Sequence, residues 1–194
     1  MRPAKTDTCC VDVAIVGGGP AGTAAALTLL KHSSLSVAVV EKSYDTQMRV
    51  GETVSPGLQP LLDYLGVWEA FTADEHLPAY GTSAAWGSSD LLSRDFLFTG
   101  RGHGWLLDRR RFDLMLATEV VKRGGRLFTE VRLAAFAREA TGRWQLSIAR
   151  QDQEPIELMA RFIIDASGKR ALLAQRFGGR KQVLDHLTGG DRFL

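Results

Sequence analysis

Three glycines and one carboxylate carry the first chemical signal in these 194 residues. Gly17, Gly19 and Gly22 spell G-x-G-x-x-G in "VAIVGGGPAG", between a β-branched run and an Ala/Leu-rich one, and Glu41 stands 19 residues after Gly22. Gly17 permits a tight turn, Gly19 lets backbone approach a pyrophosphate, and Gly22 lets a helix pack closely on a sheet. Pro20 and Ala21 would open that helix, whose first turn offers N–H groups and partial positive charge to phosphate oxygens. Glu41 can accept hydrogen bonds from ribose hydroxyls, and a carboxylate there disfavours a 2′-phosphate, and so NADP. The chemistry expected is dinucleotide binding; the competing use of such glycines is packing alone.

These residues need a strand, a helix and a second strand to hold them. "VDVAIV" (residues 11–16) reads as a short buried strand, residues 20–31 as a helix and "SVAVVEK" (36–42) as the next strand, a unit of βαβ size with a parallel sheet. A second strand-to-glycine turn, "RFIIDASGKR" (161–170), carries Ser167 and Gly168 without another G-x-G-x-x-G or ribose acid. It reads as the chain's return to the same sheet, bringing a second backbone turn to the same ligand. Between the turns, Leu58, Leu61, Leu62 and Leu65 have helical spacing and are expected to be core. Strand-like pieces run from Tyr80 to Phe98. A helix from Arg109 to Arg123 would place Phe112, Met115, Leu116 and Val120 on one face. Alternation in Trp144, Leu146 and Ile148, and in Ile156, Leu158, Ala160 and Phe162, predicts an antiparallel meander over residues 131–164.

Composition bounds the function. With 45% hydrophobic and 24% charged residues the chain is of the globular class. No apolar stretch reaches the roughly 18 residues of a membrane helix, and the start lacks the apolar centre of a signal peptide, so a cytoplasmic location is expected. Adjacent Cys9 and Cys10 read as incidental thiols, and four dispersed histidines lack metal-ligand spacing. The net charge of +2 conceals 6 Lys+Arg against 11 Asp+Glu in residues 1–97 and 18 against 11 in residues 98–194. The basic residues are mostly spread singly, which argues against nucleic acid as a partner, and no membrane contact is expected.

This order of elements resembles the FAD-binding domain of flavoprotein monooxygenases. More narrowly, "RVGETVSPGLQPLLDYLGV", "AYGTSAAWG", "GWLLDRRRFD" and "IIDASGKRALLA" are similar to the branch containing flavin-dependent tryptophan halogenases, from about Val11 to Phe177. Geranylgeranyl-reductase-like flavoproteins share parts of the pattern. The resemblance implies an α/β, Rossmann-like FAD-binding fold with a parallel sheet, an antiparallel β-meander crossover and an incomplete substrate-domain β-sheet. It implies a first FAD-binding segment over 1–78, partial substrate-domain strands over 79–107, a second FAD-binding segment over 108–178 with the meander at 130–164, and the start of a missing C-terminal part at 179–194, where Gly190-Asp191 comes too soon after the second turn to be the family's Gly-Asp motif. Without that part the strands from Tyr80 to Phe98 are expected to lack sheet partners, leaving Trp86, Phe96 and Phe98 exposed. The FAD pyrophosphate would lie on Gly17, Gly19, Pro20, Ala21 and Gly22, and the ribose on Glu41 with Lys42 beside it. Arg49 and Gly51 would lie near the flavin, and Arg109 on a phosphate or cofactor oxygen, against the alternative of a plain ion pair. Val131 would offer backbone to the adenine edge, and Ser167 and Gly168 would form the second turn.

Two departures narrow the expected activity. The place at which halogenases carry a lysine is Gly81, which has no side chain to relay an oxidised halide. The second turn has Ser167 where hydroxylases that bind NADPH directly have aspartate, which implies a flavin reduced by a separate flavin reductase as partner, or by an unrelated route, rather than by tightly docked NADPH. The expectation is the N-terminal part of an FAD-dependent oxidoreductase acting on an aromatic group, a tryptophan on a small molecule or a protein among the candidates. A reductase of isoprenoid double bonds and a non-catalytic nucleotide-binding remnant are the alternatives, and no catalytic residue is identified.

Overall fold

The computed structural model describes residues 8–44, 52–85, 87, 89–151 and 153–182. Arg49, Gly51, Trp86 and the Gly190-Asp191 pair lie outside the described residues. In chain order the elements are β1 (Thr8–Val16), α1 (Pro20–His32), β2 (Val37–Val40), β3 (Glu52–Val54), α2 (Leu58–Leu65), α3 (Trp68–Ala73), β4 (Leu77–Ala79), β5 (Gly81–Ala84) and β6 (Leu92–Asp95). Then follow β7 (Gly104–Leu107), α4 (Arg109–Lys122), β8 (Arg126–Phe128), β9 (Val131–Arg138), β10 (Trp144–Arg150), β11 (Gln153–Asp165) and α5 (Leu172–Arg176).

The main sheet has the order β8-β2-β1-β11-β10-β9. Its first four strands are parallel and its last three antiparallel, so β11 belongs to both halves. The reason is in the strand's 13 residues: Ile148↔Ile156 through Trp144↔Ala160 pair it with the meander, while Thr8↔Glu157 through Val16↔Asp165 pair it with β1. Residues Val13–Val16 of β1 and all of β2 are buried, as a parallel sheet under helices requires. Val13, Ile15, Val37 and Val39 pack against Leu27 of α1 and Leu116 and Val120 of α4. Val11, Ala14, Val16, Ala38 and Val40 join Leu146, Ile148 and Leu158 of the meander and Leu173 of α5.

The α4 face matches the expectation, since Phe112, Met115, Leu116 and Val120 are all buried. The leucine stripe of α2 does so only in part, because Leu62 and Leu65 are buried but Leu61 is 61% exposed. On β11, Phe162 was expected inward with Leu158 and Ala160, but it is 58% exposed, and Ile163 takes the inward place. Side-chain parity slips by one residue in paired strands: Val11 and Ala14, rather than Val11 and Val13, share a layer on β1. At the slip Asp12 accepts from Ser36 N–H at 2.9 Å and pairs with Arg161 at 3.2 Å.

The pieces from Tyr80 to Phe98 were expected to lack sheet partners; instead β5 and β6 pair with each other. Phe96, expected exposed, is buried in a 3-10 turn after β6, whereas Phe98 is 88% exposed. The small sheet β3-β7-β4 draws strands from either side of residue 78. Gly81 lies opposite Asp95, and a Cβ on it would stand 2.6 Å from the Arg94 carbonyl oxygen. No helix among the described residues is long and apolar enough to cross a membrane.

At the end of β11, Asp165 Oδ1 accepts from the Ser167 hydroxyl at 2.5 Å and the Ser167 N–H at 3.1 Å. Its Oδ2 accepts from Leu173 and Ala174 N–H at 2.9 and 3.1 Å, capping α5. Burial pushes the Asp165 carboxyl up, but these bonds, led by the Ser167 hydroxyl, outweigh it and hold the carboxyl below its ordinary range. The Ser36 backbone N–H, then the Ser36 hydroxyl and Arg161, lower Asp12 to about 2.

Both carboxyls ionise more readily in the folded chain, so their stabilisation is complete above about pH 4 and is lost as the pH falls below it, for Asp12 through about 2. Chemical denaturation at a series of pH values should show this acid loss, and Asp165→Asn should flatten it while lowering stability by about 1 kcal/mol at neutral pH. An unchanged profile in Asp165→Asn would reject the cap as its source. Gly81→Lys should destabilise by roughly 1–3 kcal/mol through backbone crowding, read as a lower melting temperature.

Candidate cofactor site

The two glycine turns, far apart in sequence, meet at the C-terminal ends of neighbouring strands. The Gly17 N–H donates to the Val40 carbonyl at 2.9 Å and the Ala166 N–H to the Val16 carbonyl at 2.8 Å, so both turns leave the sheet together. Gly17 has φ +111°, a left-handed backbone, and a Cβ on it would stand 2.2 Å from the Ala166 carbonyl oxygen. A Cβ on Gly22 would stand 1.9 Å from the Gly17 carbonyl oxygen. These two positions exclude side chains because backbone already fills the space.

Gly19 differs. Nothing among the described residues stands within 4 Å of where its Cβ would be, so one backbone face is open to a ligand. Gly19 caps α1 without a side-chain hydrogen bond, and Pro20 opens the helix. The first intrahelical donor is Thr23 N–H to Gly19 O at 3.0 Å, which leaves the N–H groups of Gly19, Ala21 and Gly22 without helical acceptors. Proline occupies the one first-turn position where a missing donor costs nothing. This is a cradle suited to an anion, and its charge comes from peptide dipoles rather than side chains.

Glu41 lies beside the cradle. Its Oε2 accepts from the Gly18 N–H at 2.5 Å and its Oε1 from the Ser43 N–H at 3.3 Å. Lys42 is exposed next to it. The Tyr44 hydroxyl donates to the Gly18 carbonyl at 2.9 Å, closing the far side of the turn. Buried Ser43 donates its hydroxyl to Glu130 at 2.6 Å, which ties the end of β2 to the start of β9 and sets Val131 nearby. Val131 itself is buried and pairs with Arg150. Tyr44, Ser43 and Glu130 were not singled out in the sequence. No local spacing links Ser43 and Glu130, because their contact spans 87 positions.

At the second turn Ser167 and Gly168 are present, Gly168 with φ +64°. The Ser167 hydroxyl donates to Asp165 and accepts from the Leu172 N–H at 2.9 Å, so its one proton is directed into the turn. Arg109 begins α4 and pairs with Asp113 at 3.3 Å; Asp113 is 2% exposed. The structure therefore brings Gly17, Gly19, Pro20, Ala21, Gly22, Glu41 and Lys42 together with the second turn, whereas Arg109 is engaged along its own helix.

Two histidines lie in aromatic nests. His76 packs on Phe71 with ring centres 5.0 Å apart, and its Nδ1 accepts from the Asp108 N–H at 3.3 Å. Burial lowers its pKa against the opposing pull of Asp74, so the ring is neutral at pH 7. His103 sits between Tyr80 and Trp105, at 5.8 and 5.1 Å. A cleft of about 1080 Å³ opens between Thr53 and Ser55 on one side and Thr82, Arg94, Phe98 and Arg101 on the other.

Comparison with known proteins agrees with this geometry. The family described as FAD binding domain matches residues 10–187. LodB of Marinomonas mediterranea, named as an FAD-dependent oxidoreductase, is 31% identical over 184 residues, covering 94% of this chain and 50% of LodB. Tryptophan 2-halogenase of Chondromyces crocatus is 29% identical over 169 residues, covering 85% of this chain and 31% of the halogenase. The crystal structure of a flavoprotein/dehydrogenase from Cytophaga hutchinsonii superposes with a TM-score of 0.74 at 30% identity, over 87% of this chain and 42% of that one. The chain thus spans half or less of the length of these relatives. With a family match over most of its length, this chain belongs to the FAD-binding-domain family, whose members include FAD-dependent oxidoreductases and halogenases.

Proposed function

We propose that this chain is the N-terminal, FAD-binding part of an oxidoreductase of the monooxygenase and halogenase-like type that acts on an aromatic group. The observation that carries the reading is the meeting of the two turns, with α1 aimed at an open backbone face on Gly19 and Glu41 alongside. Gly17, Gly19, Ala21 and Gly22 would take the pyrophosphate, Glu41 the ribose, and the backbone at Val131 the adenine edge. FAD, when bound, supplies electron transfer and reactivity toward oxygen. This chain's own residues bind and orient it.

Gly81 supports oxygenation over halogenation. The place where the resemblance puts the halogenase lysine is a crowded position in a hairpin, which cannot accept a side chain without backbone movement. The second turn supports a separate flavin reductase as partner, because Asp165 and the Ser167 hydroxyl are committed to capping α5. The cleft between β3 and the β5–β6 hairpin is where a substrate ring would enter, and exposed Leu92, Leu97 and Phe98 accord with a substrate domain that continues the hairpin side. Unbridged Cys9 and Cys10 accord with a reducing, cytoplasmic setting.

The full-length protein reconstituted with FAD should show the flavin absorption bands, and Gly22→Val should weaken FAD binding by at least roughly tenfold, because the helix must move off the turn. Supplied with a flavin reductase and an aromatic substrate it should consume oxygen, and added halide should give no halogenated product by mass spectrometry. A protein that stays colourless with FAD would sink the cofactor reading. Flavin reduction by NADPH alone as fast as with the reductase would sink the two-component part only.

A further inference from the structure

A second carboxylate stands at the nucleoside end of the cradle. Ser43, 7% exposed, donates its N–H to Glu41 at 3.3 Å and its hydroxyl to Glu130 at 2.6 Å, so one small residue holds both acids. Glu130 has φ +55°, a left-handed conformation that side chains other than those of Gly and Asn rarely adopt. An exposed glutamate kept in a disfavoured backbone state, with its carboxylate hydrogen-bonded to Ser43 in the loop that carries Glu41, invites a functional reading.

The local chemistry gives it one. Exposed Lys42 and the Ser43 hydroxyl, taken alone, are a cation and a donor that would suit a 2′-phosphate. Here the hydroxyl proton is directed at Glu130, and among the described residues at this loop two carboxylates outnumber the one ammonium. We infer that Glu130 is a specificity-determining residue that, paired with Glu41 through Ser43, restricts the site to nucleotides with a free ribose 2′-hydroxyl. A 2′-phosphate would bring close to two further negative charges against this pair, and the repulsion would be partly screened by salt. The inference rests on reading Glu41 as the ribose acceptor.

The test compares ADP-ribose with 2′-phospho-ADP-ribose by isothermal titration calorimetry on the full chain. ADP-ribose should bind roughly tenfold more tightly or better at low salt, and the preference should shrink at high salt. Glu130→Gln keeps an acceptor for Ser43 but removes the charge; it should narrow the preference by about three- to fivefold while changing ADP-ribose affinity less than about twofold. Glu130→Asn, which suits the left-handed backbone, should do the same and excludes misfolding as the cause. A preference unchanged in both variants would overturn the role of Glu130 and leave the cofactor reading intact. A folded wild-type chain that binds neither nucleotide would overturn both.

Discussion

The structure depends on a backbone-to-backbone approach between two turns. Gly17 lies so close to Ala166, and Gly22 so close to Gly17, that the missing β-carbons are the space in which β1, α1 and the end of β11 come together. Such contact tolerates no side chain and fixes three elements with little freedom. It also puts the N-terminus of α1 over the sheet edge, where aligned peptide dipoles can act on an anion at short range. The parallel pairing of Val13–Val16 with Phe162–Asp165 and Val37–Val40 keeps the two turns level with each other.

From that junction the division of labour follows. The first turn of α1 carries no acidic side chain of its own, whereas the loop after β2 holds Glu41 by directed hydrogen bonds from Gly18 and Ser43. The second turn uses its carboxylate differently. Asp165 accepts four hydrogen bonds inside its own segment, which shapes the exit from β11 and anchors α5 on the meander. Long β11 is the mechanical link: a single strand transmits the position of the meander core, Leu146, Ile148 and Leu158, to the C-terminal end of β1.

What could be read from the sequence is what depends on local pattern. The close approaches at Gly17 and Gly22 and the position of Glu41 beside the turn follow from fixed offsets within one βαβ unit, and the apolar face of α4 follows from helical spacing. Phe162 and Leu61 were misplaced because a period gives a face but not a parity slip or the edge of a neighbour's cover. Phe96 was misread because its burial comes from a 3-10 turn folded back on the small sheet. The Ser43–Glu130 bond and the engagement of Ser167 by Asp165 are set by geometry that no spacing rule shows.

The Gly81 departure is built into packing rather than confined to one position. The Phe96 N–H donates to the Tyr80 carbonyl at 2.7 Å, closing the hairpin just before Gly81, and buried Phe96 reaches toward Gly104. Gly104 in turn lies against the Val54 carbonyl, where a Cβ would stand only 2.0 Å away. Gly81, Phe96, Gly104 and Val54 therefore form a run of close approaches that stitches the hairpin to the small sheet. A lysine at 81 would need the hairpin opened, which would loosen the contact that seats β7 on β3. Glycine at 81 is thus enforced by its neighbours, because the close approaches that join the hairpin to the small sheet leave no room for a longer residue there.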